Sequence, residues 1–375
     1  MKYFIIAGEA SGDLHGSNLV KALRNQNPDC DIVGWGGDLM QAAGMQLLQH
    51  YKRTSFMGFW EVLKNLRTIL DAIRDCKNDI EREQPDALIL IDFPGFNFRI
   101  AEWAKPKNIK VFYYISPQLW AWKENRIKKV KRDIYRMFVI LPFEKAFYKK
   151  HQYKVDYVGH PLLDVTEQFQ STPDFRKKHG LNDRPVIALL PGSRQQEIDN
   201  MLSKMLAMVE RFPQYQFVIA AAPSQSLAFY QAIIAKHNRH KTLSNNVSII
   251  QHQTYDILNI AEAALVTSGT ATLETALFNV PQVVCYKGNP LSYLIAKRLV
   301  KIKYISLVNL IADKPLVTEL IQHDFTIDNL EKELRSILSS EKRQAILSEY
   351  HLLQKKLGGA GASNRVAKLI TELSY

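Results

Sequence analysis

Short β-branched runs alternate with longer amphipathic stretches along the chain, and that alternation restricts the fold more than any other feature. Such a rhythm builds parallel sheets with helices on both faces. The predicted strands of the first half are Tyr3–Ala7, Ile32–Trp35, Ala87–Ile91, Lys110–Ile115, Met137–Ile140 and Val155–Val158, and the longest helical stretch runs from about Gly58 to Glu83. A polar stretch, Gln168–Pro173, interrupts the pattern. It restarts with Val186–Leu190, Gln216–Ala220, Val247–Ile250, Ala264–Val266 and Gln282–Cys285. The fold class is therefore α/β, with two Rossmann-like domains at 1–168 and 169–359. A last helix within 360–375 follows Gly358, Gly359 and Gly361 and is free to cross back onto the first domain. Open α/β sheets bind ligands beyond the carboxyl ends of their strands, so two such sheets facing across a cleft would put the chemistry in the loops there.

Hydrophobic residues make up 46% of the 375-residue chain and charged residues 23%, an ordinary globular balance with no disordered signature. Cys30, Cys76 and Cys285 are isolated, with no zinc or redox spacing, and fit a reduced cytoplasmic setting. The apolar N-terminal stretch before Gly8 is too short for a signal peptide and reads as the first strand. No window approaches the roughly 20 apolar residues that a bilayer span needs. A net charge of +12 favours anionic partners without choosing among nucleic acid, phosphorylated metabolites and an acidic membrane face.

The first predicted strand runs into GEASGDLHG, Gly8–Gly16. Glycines at 8, 12 and 16 allow close approach to a ligand, and Glu9, Ser11, Asp13 and His15 supply polar groups. The plainer reading makes Ser11 or Asp13 a helix cap, which leaves the three glycines and His15 unexplained. The spacing is not the G-x-G-x-x-G fingerprint, so no nicotinamide site is expected. After Ala87–Ile91 stands Asp92-Phe93-Pro94-Gly95-Phe96-Asn97. A carboxylate at a strand's C-terminal end is placed for a general base, and equally for a helix cap. Trp120 and Trp122 in Ser116–Trp122 read as core.

In the second half, Val186–Leu190 leads to Pro191-Gly192-Ser193-Arg194 before a helix. Backbone N–H groups, a hydroxyl and a guanidinium at a helix start suit a diphosphate, and Arg194 would stabilise a departing anion. Ala264–Val266 leads to Thr267-Ser268-Gly269-Thr270-Ala271-Thr272-Leu273-Glu274. Small hydroxyl residues and Gly269 again suit phosphate, and Glu274 suits ribose hydroxyls. Capping boxes look similar, so the pair of loops counts for more than either alone.

Metal sites look absent. Asp29-Cys30-Asp31 precedes a strand instead of following one and reads as a plain loop; His237 and His240 read as wet surface. The basic run Lys123–Arg132 spreads over more than one helix face, a solvated surface or an anionic-lipid contact, and no nucleic-acid recognition motif accompanies it. The segment Met57–Ile73 carries a wide apolar arc, with Phe59, Leu63, Leu66, Leu70 and Ile73 on one face and Lys52, Arg53, Lys64 and Arg67 beside it. It suits a helix lying on an anionic membrane and also a mostly buried one.

Taken in order, GEASGD from Gly8, MGFWEVL from Met57, IDFPGFN from Ile91, SPQLWAW from Ser116, LPFEKAFY from Leu141, VGHPL from Val158, LLPGSR from Leu189, SGTATLE from Ser268, AKRLVK from Ala296 and SLVNLIAD from Ser306 closely resemble the lipid-A-disaccharide synthase family. The resemblance implies a GT-B fold and an inverting transfer without metal or cofactor. The donor would be UDP-2,3-diacylglucosamine, the acceptor 2,3-diacylglucosamine 1-phosphate, and the product the β-1,6-linked disaccharide plus UDP. Asp92 matches the family's proposed base, and Arg194 and Asn309 match important polar positions, with Asn309 counted among the UDP-binding residues; on the residues themselves His15 is the next candidate for the base. Some members carry a second acidic residue where this chain has Gly95, which leaves Asp92 alone in that turn. The implied setting is the cytoplasmic face of the inner membrane, and a homodimer is left open. A UDP-sugar epimerase is the rival of the same fold.

Overall fold

The computed structural model describes residues 1–53, 66–238, 246–289 and 302–374. Residues 57–65 of Met57–Ile73, His240 and the stretch from Ala296 to Lys301 lie outside the described residues. The chain divides into two compact units, Met1–Asp164 with Leu357–Tyr375, and Val165–Lys356.

The first unit is a seven-stranded parallel sheet of β1 (Lys2–Ala7), β2 (Asp31–Gly36), β3 (Gln46–His50), β4 (Ala87–Ile91), β5 (Lys110–Tyr114), β6 (Arg136–Val139) and β7 (Asp156–Tyr157). Their order across the sheet is β3-β2-β1-β4-β5-β6-β7. Every residue of β4 is buried, as a strand covered by helices on both faces must be. The chain winds outward from β1 to β3, then returns to the other side of β1 as β4. Ala7 pairs with Ile91 at the end of this junction. Connections leave β1 and β4 in opposite directions, which opens a crevice at their C-terminal ends.

The second unit repeats the plan with six parallel strands: β8 (Val186–Leu190), β9 (Gln216–Ala221), β10 (Val247–Gln251), β11 (Ala261–Thr267), β12 (Gln282–Tyr286) and β13 (Thr318–Ile321). Their order is β10-β9-β8-β11-β12-β13, so the reversal falls between β8 and β11.

Two strands were not anticipated. β3 and β13 are edge strands of mixed polarity, with most positions half-buried, and one-sided pairing does not demand a continuous apolar run. The predicted strand Lys110–Ile115 stops one residue early because Ile115 turns to φ +64°.

The last helix, Ala362–Ser374, packs beside helix Ala10–Gln26 in the first unit. Asp164 caps it: the carboxylate accepts from the N–H groups of Gly361, Ala362 and Ser363 at 2.5, 3.1 and 3.1 Å. At the far end the Lys110 ammonium donates to the carbonyls of Leu373 and Ser374. Asp164 is buried, so Asp164→Ala strands backbone donors without solvent and is expected to cost about 2 kcal/mol. Urea denaturation at unchanged m-value measures that loss.

Candidate active site

The two reversal points receive the motifs singled out in the sequence. Gly8-Glu9 follows β1, Asp92-Phe93 follows β4, Pro191–Arg194 follows β8, and Ser268-Gly269 follows β11.

Beyond β1 the loop is only Gly8-Glu9, because the helix begins at Ala10 with Glu9 at its N-cap. The expected ligand loop Gly8–Gly16 is thus mostly helix. Ser11 is exposed, whereas Gly12 lies against Ala7 and Gly16 against Met40. Asp13 is buried and caps a different helix from the one expected. Its carboxylate accepts from the N–H groups of Gly37, Leu39 and Met40 at 2.9, 3.1 and 3.0 Å, closing the start of helix Asp38–Ala42. Gly8 has a steric duty: a β-carbon there would lie 2.3 Å from the Phe93 ring.

Asp92 and Phe93 both adopt left-handed backbone, at φ +45° and +48°. Aspartate tolerates this region, whereas for Phe93 it costs about 1–2 kcal/mol, and such strain gathers at functional sites. Ile115, at the same edge of neighbouring β5, is a β-branched residue in the same region. The Asp92 carbonyl accepts from the Tyr113 hydroxyl at 2.5 Å and the Asn97 amide at 2.7 Å, and its N–H donates to the Tyr114 carbonyl at 3.1 Å. Burial, and then the nearby Glu9 carboxylate, push the Asp92 pKa up to about 7, against a smaller opposing pull from the Phe93 N–H. A base poised near neutrality balances availability against proton affinity.

His15 fits that duty less well. It is buried, its Nδ1 lacks a hydrogen-bond partner, and burial lowers its pKa to about 4 despite the Asp164 charge. His160 is held neutral in the same way, down to about 3, with His15 adding to the shift.

A second carboxyl lies behind the neighbouring edge. Glu144 is buried, accepts from the N–H groups of Ile140 and Leu141, and is pushed up to about 7 by burial. Ser116 meets the Tyr148 hydroxyl at 2.7 Å nearby. Trp120 packs edge-on against Phe143, but Trp122 is not core: it is 47% exposed, with the Lys123 ammonium 3.9 Å from its ring centre. In the basic run, Lys129 and Arg132 pair with Glu102, and Arg132 also with Asp133, as a solvated face would.

In the second unit Gly192 sits at φ +107° and Arg194 is the N-cap of helix Gln195–Leu206. The Arg194 side chain is 60% exposed and only loosely paired, 3.4 Å from Glu197. The Ser193 carbonyl accepts from Ser224 and Gln225. After β11, Gly269 (φ +154°) and Thr270 are exposed and open helix Thr270–Leu277, with Ser268 and Ala271 half-buried. Ser268 donates to the Ile305 carbonyl at 2.9 Å. Thr272 is buried and bonds back to the Gly269 carbonyl, so it shapes the loop. Glu274 accepts from the Tyr255 hydroxyl at 2.8 Å, and burial raises its pKa. That leaves it one oxygen for a ligand hydroxyl.

Asn309 is almost fully buried, and its amide bonds to protein on both ends. Nδ2 donates to Val317 O and Glu319 at 2.9 Å each, and Oδ1 accepts from Val317 N at 2.9 Å. Glu319 also gathers Ile305 N, Ser306 N and the Ser306 hydroxyl. Asn309 therefore braces the 305–309 segment against which Ser268 rests. Sequence reasoning missed Tyr113, Tyr255 and Glu319, because a polar group inside an apolar strand or helix pattern carries no local signature, and Glu144 was visible only as a letter of LPFEKAFY. Asn97 was visible only as the last letter of its motif. Among the described residues no cluster of His, Cys, Asp and Glu could hold a metal, and no helix is long and apolar enough to cross a membrane.

Among solved structures, a putative UDP-N-acetylglucosamine 2-epimerase from Listeria monocytogenes aligns with TM-score 0.66 at 14% identity, covering 99% of this chain and 96% of that one. The UDP-GlcNAc 2-epimerase of Neisseria meningitidis gives 0.66 at 13%, covering 100% and 99%. Likeness at that identity establishes the GT-B type of fold and leaves the chemistry open. Curated relatives decide it. Lipid-A-disaccharide synthases of Syntrophus aciditrophicus, Geobacter metallireducens and Coxiella burnetii are 40%, 38% and 36% identical, each over at least 98% of this chain and 97% of theirs. A family profile for lipid-A-disaccharide synthetase matches residues 3–372. The chain belongs to the lipid-A-disaccharide synthase family, the UDP-sugar glycosyltransferases of lipid A biosynthesis.

Proposed function

We propose that Asp92 is the general base of an inverting transfer from UDP-2,3-diacylglucosamine to 2,3-diacylglucosamine 1-phosphate. The acceptor 6-hydroxyl gives its proton to the Asp92 carboxylate as its oxygen bonds to the donor's anomeric carbon. The bond from that carbon to the diphosphate breaks, and UDP leaves with the electron pair. Arg194 and the N–H groups of Gly269 and Thr270 stabilise the departing diphosphate, with Gly192, Ser193, Ser268 and Ala271 shaping the cradle and Glu274 meeting the ribose. Asn309 and Thr272 brace that cradle. Gly8, Glu9 and Ser11 border the acceptor, while Gly12 and Asp13 support them. On this division the first unit serves the acceptor and the second the nucleotide.

What carries the reading is a strained, part-buried carboxyl held near neutral proton affinity at the β1/β4 reversal. Radiolabelled donor tests it: transfer puts label in a disaccharide only when acceptor is present, whereas epimerisation gives a labelled monosaccharide without it.

Membrane association is part of the same proposal. Helix Leu66–Glu83 leaves Leu70 53% exposed although Ile73 is buried, so the apolar arc outruns the core. On the cytoplasmic leaflet the segment Met57–Ile73 would then face anionic lipid. Leu70→Glu is expected to lower co-flotation with vesicles containing phosphatidylglycerol, with UDP binding unchanged. Equal flotation of the variant would remove the helix from that role.

A further inference from the structure

We propose that Tyr113 and Asn97 are positioning residues for the transfer, holding the Asp92 carbonyl from two sides and so fixing the left-handed turn that carries the carboxyl. The role presupposes Asp92 as the base. Tyr113 belongs to β5 and pairs in register with Leu90, two residues before Asp92, yet its hydroxyl reaches forward to the Asp92 carbonyl at 2.5 Å. Asn97 approaches from the first turn of helix Pro94–Ala104, giving 2.7 Å to the same carbonyl and 3.3 Å to that of Ile91. A carbonyl has two lone pairs, and here both are engaged. With the Asp92 N–H tied to Tyr114, neither main-chain polar group of that residue is left to rotate. On the following residue, Phe93 fits beside Gly8 and stacks on Phe96, 5.3 Å between ring centres.

The alternative for a buried tyrosine hydroxyl is simple satisfaction, since any acceptor would serve the fold. What sets this one apart is its target. Both donors converge on the first of two successive left-handed residues, at φ +45° with φ +48° next to it. Releasing one donor lets the peptide relax toward an ordinary conformation, and the carboxyl moves with it.

Kinetics of the full-length enzyme in detergent separate the two roles. Tyr113→Phe removes one oxygen and is expected to lower kcat roughly 10- to 100-fold with KM within about twofold, as misplacement of a catalytic group does. In an Asp92→Asn background the same change should cost less than about twofold, because no base remains to be positioned. Should Tyr113→Phe fail to fold, Asn97→Ala removes the second donor and is read the same way. Unchanged kcat in Tyr113→Phe overturns the proposal, as does an equal loss in both backgrounds, which would mark a structural role. If Asp92→Asn alone keeps full turnover, the base assignment falls and the positioning role falls with it. A silent Tyr113→Phe beside an inactive Asp92→Asn overturns the positioning role alone.

Discussion

Asp92→Asn is expected to lower kcat about 10³-fold with little change in donor KM, the scale of losing a general base. Asparagine keeps the size and the left-handed tolerance of the residue, so the turn survives while the proton acceptor is gone. In the wild type, kcat/KM should rise with pH and level off above about 7, where the carboxyl becomes ionised. Stability runs the opposite way. The folded carboxyl titrates near 7 against an ordinary 3.8, so its contribution is complete below about pH 4 and lost as pH rises through 7. Asp92→Asn should therefore be more stable than wild type at pH 8, by about 1–2 kcal/mol once solvent contact is discounted, and no different at pH 3.5. Thermal melts at the two pH values check the sign. A variant that is both slower and more stable is the signature of a buried charge maintained for catalysis.

Arg194→Ala should lower kcat about 10²-fold, the scale of removing one anion-stabilising donor. Its fold cost should be near zero. The side chain is 60% exposed and its contact with Glu197 is long, a surface pair that contributes little. Added guanidinium restores part of the rate if the missing group acts on the leaving diphosphate. Arg194→Lys should recover less than half of the loss, because a point charge cannot replace the planar fork. Equal kcat for wild type and Arg194→Ala would move leaving-group stabilisation to the helix that begins at Thr270.

The loops were legible in the sequence because each followed a continuous apolar run, and a buried parallel strand announces itself that way. Strand order was not, since nothing local in Val186–Leu190 says that Ala261–Thr267 will pair beside it. Edge strands Gln46–His50 and Thr318–Ile321 escaped for lack of an apolar run. The sequence marked Asp13 as a polar group near a helix start, but its partners lie 24 to 27 residues away across β2. Asn309 looked like a ligand for the nucleotide, and only the Val317 and Glu319 contacts reveal a brace. Trp122 was read as core from its type, whereas the left-handed Lys123 turns the chain and leaves the indole under an ammonium. Side chains that reach over sequence distance are invisible to any reading of neighbours.

The most direct test is UDP release from UDP-2,3-diacylglucosamine in detergent micelles with EDTA, measured with and without 2,3-diacylglucosamine 1-phosphate, for wild type and Asp92→Asn side by side. Acceptor-dependent release by wild type that survives EDTA, and that collapses in a folded Asp92→Asn, is the expected result. Release abolished by EDTA, or undiminished in Asp92→Asn, would contradict a metal-independent transfer driven by the Asp92 carboxylate.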